Sequence, residues 1–512
     1  MRLAFLTVLC VTCFACGGTT ESKNSARLAS LAPSVGQIVP PFSPEQRDYT
    51  VEEDHLVANL TLEVSAEGNG EVTLDGAKTL QQSDGQSFEL YIPPGSQDLT
   101  FKVSGPGLEQ GSYHLRVTRA TSLGQTYVKA ESPGQSKRFG NKVTCAPEKF
   151  AVTEFGAEVP HFVHVFAGAT GSTLSQQAIV QPDSSGATFE GAALDGDLLA
   201  VLQGTPDVLR FYRGSAGGWQ PASAGSSELS APEAVLALSN PWLAVTTELP
   251  RGSQVTMFHI AEHAEPPVVL TAPNAKIPES LGASLALAGT VLVAGSPYEA
   301  SSAGATVASK NQDAVDSGAA YVFELDASGI WQMTAFLKAS DAKTKDHFGQ
   351  SVSVGRGRIL VGADGQAAGE GAVYVFEKVG GLWTETAQLK RQGATQNDAF
   401  GSKVAMGEGI VVASSSDSSM GTGIDAVERV AGDLPNGAVH VFERRPEGWA
   451  EIHFLKSLYH PMFPPEVFGG SVALCRGALV VGAPFDSSKF GGVGANPAND
   501  ELYISGAVWL FQ

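Results

Sequence analysis

Three stretches rich in Ser, Gly and Asn carry carboxylates. Glu299, Asp313 and Asp316 lie in SPYEASSAGATVASKNQDAVDS, Asp417 and Asp425 in SSSDSSMGTGIDAVERVAGDLPN, and Asp486 and Asp500 in APFDSSKFGGVGANPANDELYIS. Such oxygens suit a hard cation, but none of the stretches has the fixed ligand spacing of a known calcium loop. Glu299, Asp313, Asp417, Asp486 and Asp500 are therefore marked as loop candidates for calcium, with a solvated acidic rim as the alternative. Ser340-Asp341-Ala342-Lys343 fits SxxK, the spacing of a serine nucleophile and a lysine, but its partner motifs are missing and it falls in a chain connection. His161 and His164 flank the strand-like HFVHVF and read as structural. HExxH, GxSxG and a Walker loop do not occur. The sequence thus assigns no catalytic residue and no cofactor.

These residues sit in a chain of 512 residues that is 43% hydrophobic and contains 58 glycines, enough for two or more domains with substantial cores. A formal net charge of −20 excludes nucleic acid as a partner, because phosphates demand Lys and Arg. The same charge disfavours an anionic membrane surface and keeps an exported protein soluble.

Met1-Arg2 and the apolar stretch Leu3 to Ala15 read as a signal peptide (1–15), too short to span a bilayer as a mature helix. The stretch ends in Cys13-Phe14-Ala15-Cys16-Gly17-Gly18, which resembles a bacterial lipobox with Cys13 where that motif usually has Leu. The resemblance implies lipidation of Cys16; ordinary signal-peptide cleavage is the alternative. Residues 16–26 then form a flexible tether, the membrane being touched only through the lipid. Gly17 after the cysteine permits, by resemblance to Gram-negative lipoproteins, delivery to the outer membrane and cell surface. Cys10, Cys13 and Cys16 belong to this export region. That leaves Cys145 and Cys475, in the first and last repeat blocks. A disulfide between them would staple a ring; two separate buried thiols are the preferred reading.

Residues 27–120 alternate apolar and polar positions in short runs, among them Leu60, Leu62, Val64 and Tyr113, Leu115, Val117. Clusters such as EGNGE and PPGSQD separate the runs, the pattern of an antiparallel sandwich. The opening LASLAPSVGQIVPPFSPEQRDYTV and the closing YHLRVTR resemble the bacterial cadherin-like domain, on Leu28, Leu31, Gly36, Pro41, Phe42, Ser43, Pro44, Tyr49, Tyr113 and Arg119. That resemblance implies an immunoglobulin-like β-sandwich acting as a spacer or adhesive unit.

From residue 121 to 512 the chain repeats one phrase, clearest as FGQSVSVGRGRILVGAD followed by GAVYVF, with copies starting at Leu281, Phe348, Phe400 and Phe468. Each copy spells short strands with one apolar face that only a neighbouring copy can cover, which predicts a β-propeller. Gly355-Arg356-Gly357 and Gly407-Glu408-Gly409 supply tight hairpins, and Trp383 marks an outer strand. These blocks resemble the FG-GAP repeats of integrin α-subunits and their bacterial relatives. Degraded blocks at Phe139-Gly140, Phe189 and Ala234-Val235 bring the expected count to seven blades. In integrins a calcium loop separates the first two strands of a blade; GRGR, GEG and CRG stand there in this chain and cannot cage calcium.

The last block ends at Phe511-Gln512 without an outer strand. Ten residues separate Lys129 from Phe139, Lys338 from Phe348 and Lys390 from Phe400, so residues 124–131 are expected to complete the last blade. From repeat start to the GA pair, 37 residues run from Leu281 to Gly318, 37 from Phe400 to Gly437 and 38 from Phe468 to Gly506, but only 23 from Phe348 to Gly371. Three blades therefore carry long inserts on one face, where repeat proteins usually bind. The expected fold class is all-β: a cadherin-like sandwich and a seven-bladed propeller. The expected function is a non-catalytic surface scaffold that binds a protein or a glycan through the insert-bearing rim. The rivals are a polysaccharide-acting enzyme using carboxylates at the propeller mouth and a purely structural envelope component.

Overall fold

The computed structural model describes residues 25–512, apart from 84–86, 157–160, 169–173, 183–187, 205–207, 216–217, 223–234, 250–251, 261–265, 274–279, 418–420, 426–435, 459–466 and 498–500. The signal-peptide and lipidation readings, with Cys10, Cys13 and Cys16, and the candidate Asp500 lie outside the described residues.

Two four-stranded sheets open the chain. One orders Leu28–Pro33, Asn59–Ala66, Ser87–Tyr91 and Lys78–Ser83; the other orders Asp48–Glu53, Gly111–Arg119, Gly95–Ser104 and Glu71–Asp75. Alternation places Leu60, Leu62, Val64, Phe88, Leu90, Phe101, Tyr113, Leu115 and Val117 in one shared core. Two tyrosines fasten the long opening connection. Tyr49 donates its hydroxyl to the Ser43 carbonyl at 2.6 Å, and Tyr113 donates to the Pro44 carbonyl at 2.8 Å.

From residue 125 onward the described residues form seven sheets, most of them simple up-and-down antiparallel orders such as Ser351–Gly355, Arg358–Ala363, Ala372–Val379 and Leu382–Leu389. The innermost strand of each sheet touches that of the next, and the last, Ser471–Cys475, touches the first, Val143–Ala146. The ring is a β-propeller.

The repeated residues are the joints of this ring. Phe348 bridges its backbone to Gly318 of the preceding sheet, Phe400 to Gly371, and Phe139 to Gly506 across the seam. A Cβ on Gly318 would lie 2.0 Å from the Phe348 carbonyl oxygen, so the close approach admits only glycine there. Ser284, Ser351 and Ser471 donate their hydroxyls to the carbonyls of Gly349, Gly401 and Gly140 in the following sheet. In the short hairpin, Arg356 and Gly357 take φ of 50° and 70°, the left-handed pair that a twisted two-residue turn requires.

Two devices close the seam. Gln125–Lys129 pairs antiparallel with Ala507–Phe511, Val508 opposite Val128 and Trp509 opposite Tyr127, so the outer strand of the last sheet comes from upstream, where the lysine spacing marks it. Cys145 and Cys475 form a disulfide with Cα atoms 5.9 Å apart, which corrects the preferred reading of two separate thiols. Closure of the ring brings the first and last innermost strands, and with them the two cysteines, into contact.

The N-terminal unit docks on the ring through charge. Arg119 is fully buried, donates to the His55 and Ile92 carbonyls and pairs with Glu443 at 2.7 Å. Glu89 accepts from Arg358 at 2.6 Å and Arg444 at 2.9 Å. Burial alone would raise the Glu89 carboxyl, but Arg358 and Arg444 outweigh it and hold it below its ordinary value. His55 meets His453 Nε2 to Nε2 at 2.8 Å. His55 Nδ1 faces the Ala120 carbonyl and His453 Nδ1 the Asp425 carboxylate, and burial lowers the His55 pKa from its ordinary value.

The insert-bearing face as a candidate binding face

In an up-and-down sheet the first and third turns share one face of the ring, while the second connection and the link to the next sheet share the other. The N-terminal unit covers the first of these faces. Ala58 and Asn59 donate their backbone N–H groups to the Glu408 carbonyl, and Leu56 bridges Gly477, both at first turns. Around that end of the central channel Ser34, Val35, Gly36 and Gln37 join Gly355, Arg356, Glu408 and Arg476 in lining a cavity of about 710 Å³. The inserts and the other channel end lie on the uncovered face.

The insert carboxylates are not gathered into a cage. Glu299, Asp417 and Asp486 are buried to 1%, 2% and 3% exposure and each pairs with a lysine at the end of an outer strand. Lys338 lies 2.9 Å from Glu299, Lys456 2.9 Å from Asp417, and Lys129 2.5 Å from Asp486. Arg391 adds a second cation to Asp417 at 2.5 Å. Burial lowers the Lys338 ammonium from its ordinary value, against the pull of Glu299. These acids are therefore ring-internal counter-ions, which corrects their marking as calcium candidates. Asp313 is exposed and Asp316 half-buried; Asp425 is exposed and held by His453 at 2.9 Å. Among the described residues no group of three or more His, Cys, Asp or Glu is placed to hold a metal ion.

The lysine spacing is only a partial signal for these pairs: Lys129 and Lys338 stand ten residues before a repeat start, but Lys456 stands twelve before Phe468. The sheet with the short connection supplies the control. There Asp364 turns to His347 at 3.1 Å and Lys390 is exposed. The inserts of the last two sheets also send short strands outward, Gly423–Ile424 and Gly492–Val493, which extend the outer edges by pairing with Gly448–Lys456 and Gln125–Lys129.

Among the exposed polar residues of the inserts stand large apolar and aromatic side chains. Tyr298 and Val315 from one insert, and Phe490, Val493 and Tyr503 from another, are 41–54% exposed. On the same face opens the second channel end, a cavity of about 430 Å³ lined by the starts of all seven innermost strands. Aromatic anchors around a concave centre are the composition of a recognition surface.

The remaining sequence candidates are structural. The Ser340 hydroxyl donates to Glu385 at 2.8 Å, and Asp341 accepts from Tyr374, so the SxxK stretch is a pinned connection. His161 is buried against the Gly156 carbonyl at 2.9 Å and His164 against Glu154 at 2.9 Å. Trp331 packs edge-on against Trp242, and the Trp383 indole donates to Glu324.

A family model described as FG-GAP repeat matches residues 331–376. A search of the curated proteins found no match. Among solved structures the chain is similar to a quinonprotein alcohol dehydrogenase-like protein from Bacteroides thetaiotaomicron, at 10% identity and TM-score 0.37, with 82% of this chain and 96% of that one covered. It is also similar to the WD40 domain of coronin from Toxoplasma gondii, at 10% identity and TM-score 0.41, with 76% and 86% covered.

Proposed function

We propose that this chain is an exported, lipid-anchored surface protein that works as a binding scaffold. In this reading Cys16 carries the lipid, residues 16–26 are a tether, and residues 27–120 form an immunoglobulin-like, cadherin-like sandwich. Residues 121–512 form a seven-bladed FG-GAP propeller that presents its insert-bearing face to a protein or glycan at the surface of a Gram-negative outer membrane. The observation that carries the reading is the inequality of the two faces. One is occupied by the N-terminal unit through buried Arg119–Glu443 and Glu89–Arg358 pairs, and the other bears the inserts, exposed Tyr298, Phe490 and Tyr503, and the open channel end. Support for the blade count comes from the ring of sheet contacts, and for the FG-GAP assignment from the match at residues 331–376.

The test is to probe glycan and surface-protein arrays with the full chain and with two variants. Tyr298→Ala/Tyr503→Ala alters the insert face, and Leu382→Ser, at a solvent-exposed turn, alters the opposite side. Binding lost in the first and kept in the second supports the reading; binding equally affected by both, or absent throughout, refutes it. Loss of palmitate labelling in Cys16→Ser tests the anchor.

A further inference from the structure

The channel end on the insert face differs in charge from the rest of the molecule. The chain carries −20 overall, yet the described lining of this cavity holds two lysines, Lys142 and Lys403, and no carboxylate. Both lysines occupy one position of the repeat, three residues after the repeat start, where Ser284, Ser351 and Ser471 stand in other sheets.

At that position the serines tie one sheet to the next, and Lys142 does the same, donating Nζ to the Glu190 carbonyl at 2.8 Å. Lys403 does not. Among the described residues its ammonium has no hydrogen bond or ion pair and feels Asp364 only as a charge through space. The side chain is exposed, but the exposure is to the channel, and the surrounding walls lower its pKa by stripping bulk hydration. A cation so placed gains more from an anion than one on an open surface. In the same lining Asn141 and Gln350 bring side-chain amides with no partner among the described residues, and Ser351 and Ser471 keep acceptor lone pairs after donating their protons.

We propose that this channel end binds a sugar acid, a uronate residue of an acidic polysaccharide. Its carboxylate is held by Lys403 with Lys142 at the rim, and its hydroxyls by the Asn141 and Gln350 amides. A cation that shares a cavity lining with unpartnered amides and with hydroxyls that still accept matches a polyhydroxylated carboxylate better than a bare ion, which would use only the ammonium. The inference rests on the binding-face reading above and narrows it to one ligand class.

Calorimetric titration of the full chain with glucuronate at low ionic strength tests it, with glucose as the neutral arm and inorganic sulfate as the bare-anion arm. Lys403→Ser installs the residue found in neighbouring sheets, and an unchanged melt verifies its fold. The expected result is saturable glucuronate binding that weakens about tenfold or more in Lys403→Ser, with glucose not bound. Binding unchanged in that variant, glucose bound as well as glucuronate, sulfate bound as tightly as glucuronate, or no binding by the wild type would each overturn it. An array ligand that is lost in Tyr298→Ala/Tyr503→Ala but indifferent to Lys403→Ser would overturn this inference and leave the binding-face reading standing.

Discussion

Replacing Lys129 by Met removes one ammonium from the seam of the ring while keeping most of the side-chain volume. Lys129 is fully buried, its Nζ lies 2.5 Å from Asp486 Oδ1, and the Asp486 side chain is 5% exposed. In Lys129→Met the carboxylate keeps the Tyr127 hydroxyl at 2.8 Å and the Ser488 N–H at 3.0 Å, but no cation. An uncompensated buried charge of this kind costs about 3–5 kcal/mol. For a chain of this size the melting temperature should fall by roughly 3–6 °C. Urea unfolding followed by tryptophan fluorescence reads the effect, one of the six tryptophans, Trp509, packing edge-on against Tyr127 at the seam with ring centroids 5.0 Å apart. The double variant Lys129→Met/Asp486→Asn removes the stranded charge as well and should recover to within ~1–2 kcal/mol of the wild type. A single variant within about 1 kcal/mol of the wild type, or a double variant no more stable than the single, refutes the reasoning.

Glu53 is buried beside Asp54 and Glu408, and burial, partly offset by Arg476, lifts its carboxyl from 4.5 to about 7. The folded chain therefore prefers the protonated acid, so the stability tied to this group is complete below pH 4.5 and is lost as pH rises through 7. Glu53→Gln should gain up to roughly 3 kcal/mol at pH 8 and little at pH 4.5, measured by melts across that range. Opening the Cys145–Cys475 disulfide, which spans 330 residues, should cost up to roughly 5 kcal/mol on the chain-entropy account, so a Cys145→Ser/Cys475→Ser variant should melt several degrees lower. Gly477 has φ +77° and a Cβ there would lie 2.5 Å from the Asp54 Cβ, so Gly477→Ala should loosen the N-terminal unit. Faster protease cleavage near residue 120 is the expected readout, together with a slightly lower propeller melt, because alanine at that φ also strains the turn between Cys475 and Ala478.

The repeat was legible because its physics is local. Phe348, Gly349 and Gly318 recur in sequence since each joint between sheets needs a ring, a close backbone approach and a positive-φ glycine. The upstream closing strand was legible through Lys129, whose distance from Phe139 repeats that of Lys338 from Phe348. The carboxylates of the inserts were misjudged because their partners are remote: nothing near Glu299 announces Lys338, 39 residues away, as its counter-ion. Docking was invisible for the same reason, since Glu89 and Arg358 are 269 residues apart. The disulfide stayed undecided until the ring brought both cysteines onto touching strands. Lys403 gave no signal until the repeats were aligned with the channel.

Hydroxyl-radical footprinting of the full chain, free and bound to whichever array ligand it takes, tests the central claim most directly. The account predicts protection of Tyr298, Phe490 and Tyr503 on the insert face, while Leu382 and Val379 at the opposite turns stay as reactive as in the free chain. Protection of Leu382 and Val379 with the three insert aromatics unchanged would contradict it.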